Sequence, residues 1–382
     1  MKQKTYIISF DHWIIVCYIV LMVIGIFMQL NVNSVKDSMM PFYKQLIWLL
    51  ISAVAVWSAF RFIDLQKWRK FTTLLLFITI LLLVLVLIFG SEVNGAKRSF
   101  ILHLPMMNVN FQPSLLARIV LILYFAHILA KKQDVIEESR PLNFVKNFTP
   151  LIIIPILIFT LILFERHFSV LIILGLTLMS MLFLARIKFS TILSIMLVLM
   201  LFGAAVIKFG PQYRGARMQI FEKYSLFHKL AHKEGTYTGD AEYQIRESLI
   251  ALSSGGIFGT TPHRGTGKHY FIPEDKTDYI FAILGEEFGF LGSVFVLGLY
   301  AFLFSRCLIN AYHQKSNFLR FAGYGLGMNI FFNALLNIGV SMSAVPSTGV
   351  TLPFISYGGT SLLINSITIG LLLSISAERR KV

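Results

Sequence analysis

The stretch FTTLLLFITILLLVLVLIFG, residues 71–90, carries no charged side chain from end to end. A helix rises 1.5 Å per residue, so about 20 apolar residues cross the roughly 30 Å of a bilayer's hydrocarbon. Nothing in a water-soluble core requires a run of that length. Nine further stretches read the same way: residues 13–31, 45–62, 114–130, 148–164, 167–185, 190–208, 279–305, 320–343 and 356–376.

Composition agrees. The chain of 382 residues is 56% hydrophobic and 14% charged, where a soluble domain is about 45–50% apolar and about 25% charged. This excludes a soluble globular enzyme, a disordered chain and a disulfide scaffold. A membrane barrel would show short alternating segments, whereas the runs here are long and rich in Phe. The expected fold is an all-α polytopic membrane protein with about ten transmembrane helices. The first run is too long for a signal peptide and lacks a small-residue cleavage site. Cys17 and Cys307 both lie inside apolar runs, so they are expected to be unpaired thiols that pack as small hydrophobes. No Cys/His cluster has metal-ligand spacing.

The net charge of +15 fits the positive-inside bias of a membrane protein and attraction to anionic lipid. The basic residues scatter over loops, which excludes nucleic acid as a partner. With the N-terminus placed in the cytoplasm, the inner segments hold 18 Lys and Arg against 5 in the short outer loops. Both termini are then expected in the cytoplasm.

Residues 209–278, between the seventh and eighth runs, form a large hydrophilic loop on the outer side, carrying nine basic residues. Loops of that size in a tight membrane protein are usually functional. The chain is otherwise a single membrane domain over residues 1–382. It shows no internal repeat of the kind transporters carry, no centrally paired charges, no P-loop and no GxGxxG.

The outer side collects the unusual residues in three clusters. Tyr243-Gln244 is followed by Ser253-Ser254-Gly255-Gly256-Ile257-Phe258-Gly259. Next come residues 272–281, IPEDKTDYIF, which lead into Gly285-Glu286-Glu287-Phe288-Gly289. The third is residues 346–361, PSTGVTLPFISYGGTS. Asp278 is the last polar residue before an apolar run, where water gives way to lipid. A carboxylate partly withdrawn from water is a stronger base than a free Asp. The competing reading is that Thr277 or Asp278 simply caps the helix. Glu286 and Glu287 follow about 80° and about 180° round the helix from Asp278. At least one of them must point into the bundle, either as a structural hydrogen-bonding group or in the chemistry. The third cluster reads as a re-entrant segment, because irregular backbone at membrane depth survives only where protein or water covers it; a tight loop is the alternative.

Together these clusters resemble the SEDS family (shape, elongation, division, sporulation). Its hallmarks are a YQ…SGG…FG segment, a PE-x-x-TDFIF…GEE-x-G-x-x-G segment and a P-x-x-G-x-x-LPFISYGG-[ST]-S segment. They stand here as Tyr243-Gln244, Gly255-Gly256 with Phe258-Gly259, Pro273-Glu274 with residues 277–281, residues 285–292, and residues 346–361. The resemblance covers essentially the whole chain. Three family segments differ. N-G-A-x-R-W loses its aromatic at Ser99. Q-P-S-E-x-x-K loses its carboxylate at Leu115 and keeps its cation as Arg118. Q-P-D-L-G-T becomes Glu165-Arg166-His167-Phe168-Ser169-Val170.

The resemblance implies a peptidoglycan glycosyltransferase. Lipid II is the acceptor, and a growing glycan on polyprenyl pyrophosphate is the donor. Asp278 matches the family's essential aspartate, with the role of general base. Arg217, Arg264, Lys268 and Arg118 would cradle pyrophosphate, and Glu274 and Ser356 would belong to the substrate site. No cofactor is required by the residues; a divalent cation, Mg or Mn, is compatible with a pyrophosphate substrate. The implied location is the bacterial cytoplasmic (inner) membrane, with the site on the extracytoplasmic face. Implied partners are a class B penicillin-binding protein and other divisome or elongasome membrane proteins. The Gly349-Val350-Thr351-Leu352-Pro353 form is nearer the division-type (FtsW-like) branch, for septal wall synthesis, than the elongation-type (RodA-like) branch. Readings from other classes are a lipid II flippase and a divisome scaffold without chemistry.

Overall fold

A computed structural model describes residues 5–34, 39–93, 96–103, 108–133, 149–208, 220–221, 223–224, 240–260 and 277–381. Each of the ten apolar runs falls on a helix. These are α1 (His12–Ser34), α2 (Met40–Phe62), α3 (Thr72–Phe89), α4 (Pro113–Lys131), α5 (Thr149–Phe164), α6 (Phe168–Leu184), α7 (Phe189–Lys208), α9 (Ile280–Tyr312), α10 (Asn317–Ser341) and α11 (Gly359–Ser376). Between α7 and α9 lies α8 (Asp240–Ser254), a helix inside the long loop that no apolar run announces. Among the described residues, six helical stretches are long and apolar enough to cross a membrane, and α5, α6 and part of α7 are shorter apolar helices. The chain is a membrane protein.

Local chemistry sets the ends. Pro113 opens α4, and a proline sits in the first turn of α2, where a missing N–H costs nothing. Asp11 caps α1 by accepting from the Trp13 N–H at 2.9 Å. Its other oxygen pairs with Arg306 Nη2 of α9 at 2.7 Å, tying the start of α1 to the far half of α9. Between α5 and α6 the chain reverses on Arg166, which takes a left-handed φ of 57°.

The core forms around α4, α10 and α11, whose side chains are buried on most faces. The outward faces of α2 and α3 expose Leu50, Val54, Trp57, Leu74, Phe77 and Leu81, as helices bordering lipid do. With lipid outside, close packing rather than the hydrophobic effect holds such helices together. Gly370 of α11 accordingly lies directly on Val56 and Ala59 of α2. Cys17 and Cys307 are free and buried.

To this helical frame the structure adds two small sheets. Strands β2 (Ser91–Val93), β3 (Ala96–His103) and β4 (Asn108–Phe111) form an antiparallel meander between α3 and α4. Thr360 at the start of α11 donates to the Asn110 carbonyl and pins that meander to the bundle. Strands β1 (Thr5–Ser9) and β5 (Glu378–Lys381) pair antiparallel, Thr5 opposite Lys381 and Ser9 opposite Glu378.

Candidate functional site

The helix α9 begins at Ile280, and its N-cap position falls on Tyr279, which makes no side-chain cap bond. The N-cap position thus falls one residue beyond Asp278. Thr277 and Asp278 instead form a turn whose backbone is held from outside. Ser356 Oγ donates to the Thr277 carbonyl at 2.6 Å. Asn337 Nδ2 donates to the Asp278 carbonyl at 2.9 Å. The Asp278 carboxylate is aimed at the third cluster: Oδ2 lies 3.5 Å from where a side chain on Gly349 would begin. Gly349 has a φ of +68°, so the backbone there favours glycine.

Residues 346–358 contain no helix or strand, yet Val350, Leu352, Pro353, Phe354, Ile355 and Ser356 are buried. Buried carbonyls outside regular structure need partners. Four helices supply them, one side chain each. Ser169 of α6 donates to the Thr348 carbonyl. Asn337 of α10 donates to the Val350 carbonyl at 2.5 Å. Tyr300 of α9 donates to the Pro353 carbonyl. Gln29 of α1 donates to the Ile355 carbonyl at 3.4 Å. Within the segment, the Leu352 N–H donates to Ser356 Oγ at 2.8 Å. The re-entrant reading fits this geometry: a covered, irregular stretch at the centre of converging helices. Ser356, expected at the substrate site, is buried, with its hydroxyl engaged by the protein's own backbone.

The first cluster packs against the second. The chain after α8 lies along a break in α9 at Gly289, where φ is 67° and ψ is −164°. There the Thr260 N–H donates to the Glu286 carbonyl at 2.9 Å, and the Phe290 N–H donates to the Gly256 carbonyl at 2.9 Å. Glu286 and Glu287 are both buried. Glu287 accepts from the Asn31 amide of α1, a structural hydrogen bond of the kind anticipated for this pair.

The divergent residues gather beside the segment, at the corner joining α4, α5 and α6. Ser114 Oγ lies 3.0 Å from His167 Nδ1, and Arg118 follows one turn along α4. Arg118 is buried, and its Nε and Nη2 have no hydrogen-bond partner among the described residues. Burial pushes Glu165 up to about 8, opposed by the Ser114 hydroxyl and by Arg98. Arg118 thus sits inside the protein rather than on an open face.

Of the other expected site residues, Arg217, Arg264, Lys268 and Glu274 lie outside the described residues. Two further loop cations are engaged locally: Lys223 pairs with Glu242 at 2.8 Å and Arg246 with Glu247 at 3.2 Å. Among the described residues no group of three His, Cys, Asp or Glu side chains comes together. Sequence reasoning missed Gln29, Ser169, Tyr300 and Asn337. The available signal was a polar residue inside an apolar run.

The family model described as "Cell cycle protein", FtsW/RodA/SpoVE, matches residues 4–381. The chain is 32% identical over 388 residues to a probable peptidoglycan glycosyltransferase FtsW of Coxiella burnetii, covering 99% of each chain. It is 33% identical over 385 residues to the protein of that name from Trichlorobacter lovleyi, covering 99% of this chain and 96% of the other. Among solved structures, a chain from "Structural coordination of polymerization and crosslinking by a peptidoglycan synthase complex" matches with a TM-score of 0.77. It is 23% identical, and 97% of this chain and 98% of that one are covered. The rod shape determining protein RodA of Thermus thermophilus matches with a TM-score of 0.67 at 23% identity, covering 97% of both chains.

Proposed function

We infer the reaction from one premise: this chain belongs to the FtsW/RodA/SpoVE family of cell cycle proteins. It is a peptidoglycan glycosyltransferase of the FtsW-like kind, as its full-length relatives are named. In the reaction we propose, the acceptor is lipid II and the donor is a glycan on polyprenyl pyrophosphate. The acceptor's sugar 4-hydroxyl attacks the donor's anomeric carbon. A new C–O glycosidic bond forms, the bond from that carbon to pyrophosphate oxygen breaks, and the lipid pyrophosphate leaves with the bonding pair.

Asp278 is the general base of this scheme. It takes the hydroxyl proton as the oxygen attacks and returns it to water. The leaving group is already stable, so a base and cationic stabilisation of pyrophosphate suffice. Arg217, Arg264 and Lys268 supply the cations, and Glu274 orients the loop. Arg118, being buried, acts on the pyrophosphate end only through a rearranged corner. The site faces the outside of the cytoplasmic membrane, both termini face the cytoplasm, and residues 209–278 form the outer loop. A class B penicillin-binding protein cross-links the strands made here.

The observation that carries this reading is the seat of Asp278. Its side chain projects toward Gly349 while two hydrogen bonds from Ser356 and Asn337 hold the backbone on which it rides. The test is Asp278→Asn, assayed by lipid II polymerisation in the purified complex and read on a gel that resolves glycan length. Asn keeps the shape and the capping ability of Asp but loses the basic carboxylate, so activity is expected to fall about a hundredfold or more. Full activity would remove Asp278 as base and assign that role to another group.

A further inference from the structure

Asn337 lies on α10, wholly buried, in an otherwise apolar turn. Its amide nitrogen carries two hydrogens, and the structure uses that nitrogen twice. It donates to the Asp278 carbonyl at 2.9 Å and to the Val350 carbonyl at 2.5 Å. One carbonyl belongs to the turn that carries the carboxylate. The other is next to Gly349, the residue that carboxylate faces. Val350 is itself fixed, because its side chain packs with Ile173 of α6 and Leu336 of α10 in a small apolar cluster. The amide therefore refers the position of Asp278 to packed core.

We propose that Asn337 is a positioning residue for glycosyl transfer, holding the Asp278 turn and the Gly349-Val350 backbone at one fixed separation through a single side-chain amide. A primary amide suits this task for a physical reason. It donates two hydrogen bonds from one nitrogen without bringing a charge next to the carboxylate. A hydroxyl donates one, an aliphatic side chain none. The inference rests on Asp278 as the base. It adds that the reactivity of that base is set from α10, by a residue that touches no substrate.

The experiment compares three variants in the purified complex with lipid II: Asn337→Asp, Asn337→Gln and Asp278→Asn. Rates are measured against both pH and lipid II concentration, and thermal unfolding is recorded in detergent. Asn337→Asp replaces donors with acceptors opposite two carbonyls. A misplacement of about 1 Å can cost about a hundredfold in rate, so kcat is expected to fall between tenfold and a hundredfold on that scale, with KM largely preserved. A second carboxylate beside Asp278 disfavours its ionised form, so the acid limb of the kcat profile should move to higher pH. Asn337→Gln keeps the amide on a longer arm and should recover much of the rate and the parental pH limb. A parental kcat and pH limb for Asn337→Asp, beside an inactive Asp278→Asn, would overturn the inference. So would a loss carried by KM alone. Parental activity of Asp278→Asn would instead overturn the assignment of the base, which keeps the two failures distinct. If Asn337→Asp does not fold, Asn337→Ser decides: it retains one donor, so a reduced kcat at unchanged KM supports the inference and a parental kcat ends it.

Discussion

The bundle interrupts its helices in two places near the site and repairs the damage in two different ways. At Gly289 in α9 the repair is made by backbone. The chain at residues 255–260 exchanges main-chain hydrogen bonds with residues 286–291. At residues 346–358 the repair is made by side chains, one each from α1, α6, α9 and α10. A backbone repair needs only that the two chains come close enough, so its demand falls on glycine. A side-chain repair spreads its demand over polar groups on distant helices, and each can be removed without displacing the others. The first region should behave as a single structural unit. The second should behave as a seat whose fit can be loosened one contact at a time.

The sharpest break of this comparison is Gly259→Ala. Gly259 has a φ of +85°, and a Cβ there would collide with the Glu287 carbonyl. The left-handed backbone costs roughly 1–2 kcal/mol and overpacking about 1–3 more. Loss of folded protein is expected, seen as a collapsed yield or melting temperature in detergent. Wild-type stability would show that the backbone repair is dispensable.

Next is Tyr300→Phe, which leaves the Pro353 carbonyl of the seat without that donor. An unpaired buried acceptor costs about 1–3 kcal/mol. The protein should fold, with a modest loss of melting temperature and a larger proportional loss of lipid II polymerisation. If stability falls and the rate per folded molecule does not, the seat is scaffolding only. Ser169→Ala should follow the same pattern more weakly. Ser169 bonds the Thr348 carbonyl from the rim of the segment, and a single neutral hydrogen bond contributes about 0.5–1.5 kcal/mol.

A separate test is a dependence on pH at the corner beside the seat. Glu165 is raised from 4.5 to about 8, chiefly by burial. Between those values the folded protein keeps a proton that the unfolded chain has released. Its contribution to stability is therefore complete below the lower value and is lost as pH rises through the upper one. The melting temperature of the parent should decline over that window relative to Glu165→Gln, which cannot ionise. Parallel profiles would mean that Glu165 does not titrate there.

These contrasts mirror what could be read in advance. The helices were legible because runs such as residues 71–90 admit no other solution at membrane depth. The three outer clusters were legible because glycine, proline and carboxylates are conspicuous beside apolar helices. That at least one of Glu286 and Glu287 would turn inward followed from the cost of a charge in lipid; both do. The partners of those clusters were not legible. Asn337, Tyr300, Ser169 and Gln29 are polar residues in or beside apolar runs, and nothing local sets them apart from polar neighbours such as Asn333 and Asn31; their value lies in which distant carbonyl they meet. Only tertiary packing decides that. The helix at Asp240–Ser254 was missed because its sequence, DAEYQIRESLIALSS, is too polar to stand out as a membrane helix. The meander over residues 91–111 was missed because its strands are short and carry little alternation.

The ribbon joining β1 to β5 constrains the rest of the path. Thr5 sits opposite Lys381, so the strand before α1 and the strand after α11 lie side by side at one end of the bundle. Whatever route the chain takes between them, it must cross an even number of times. A change that stops one hydrophobic run from inserting cannot be absorbed locally: a second run must also fail, or the ribbon must open. Parity thus makes the two paired strands a check on every crossing between them, applied only once both have been made.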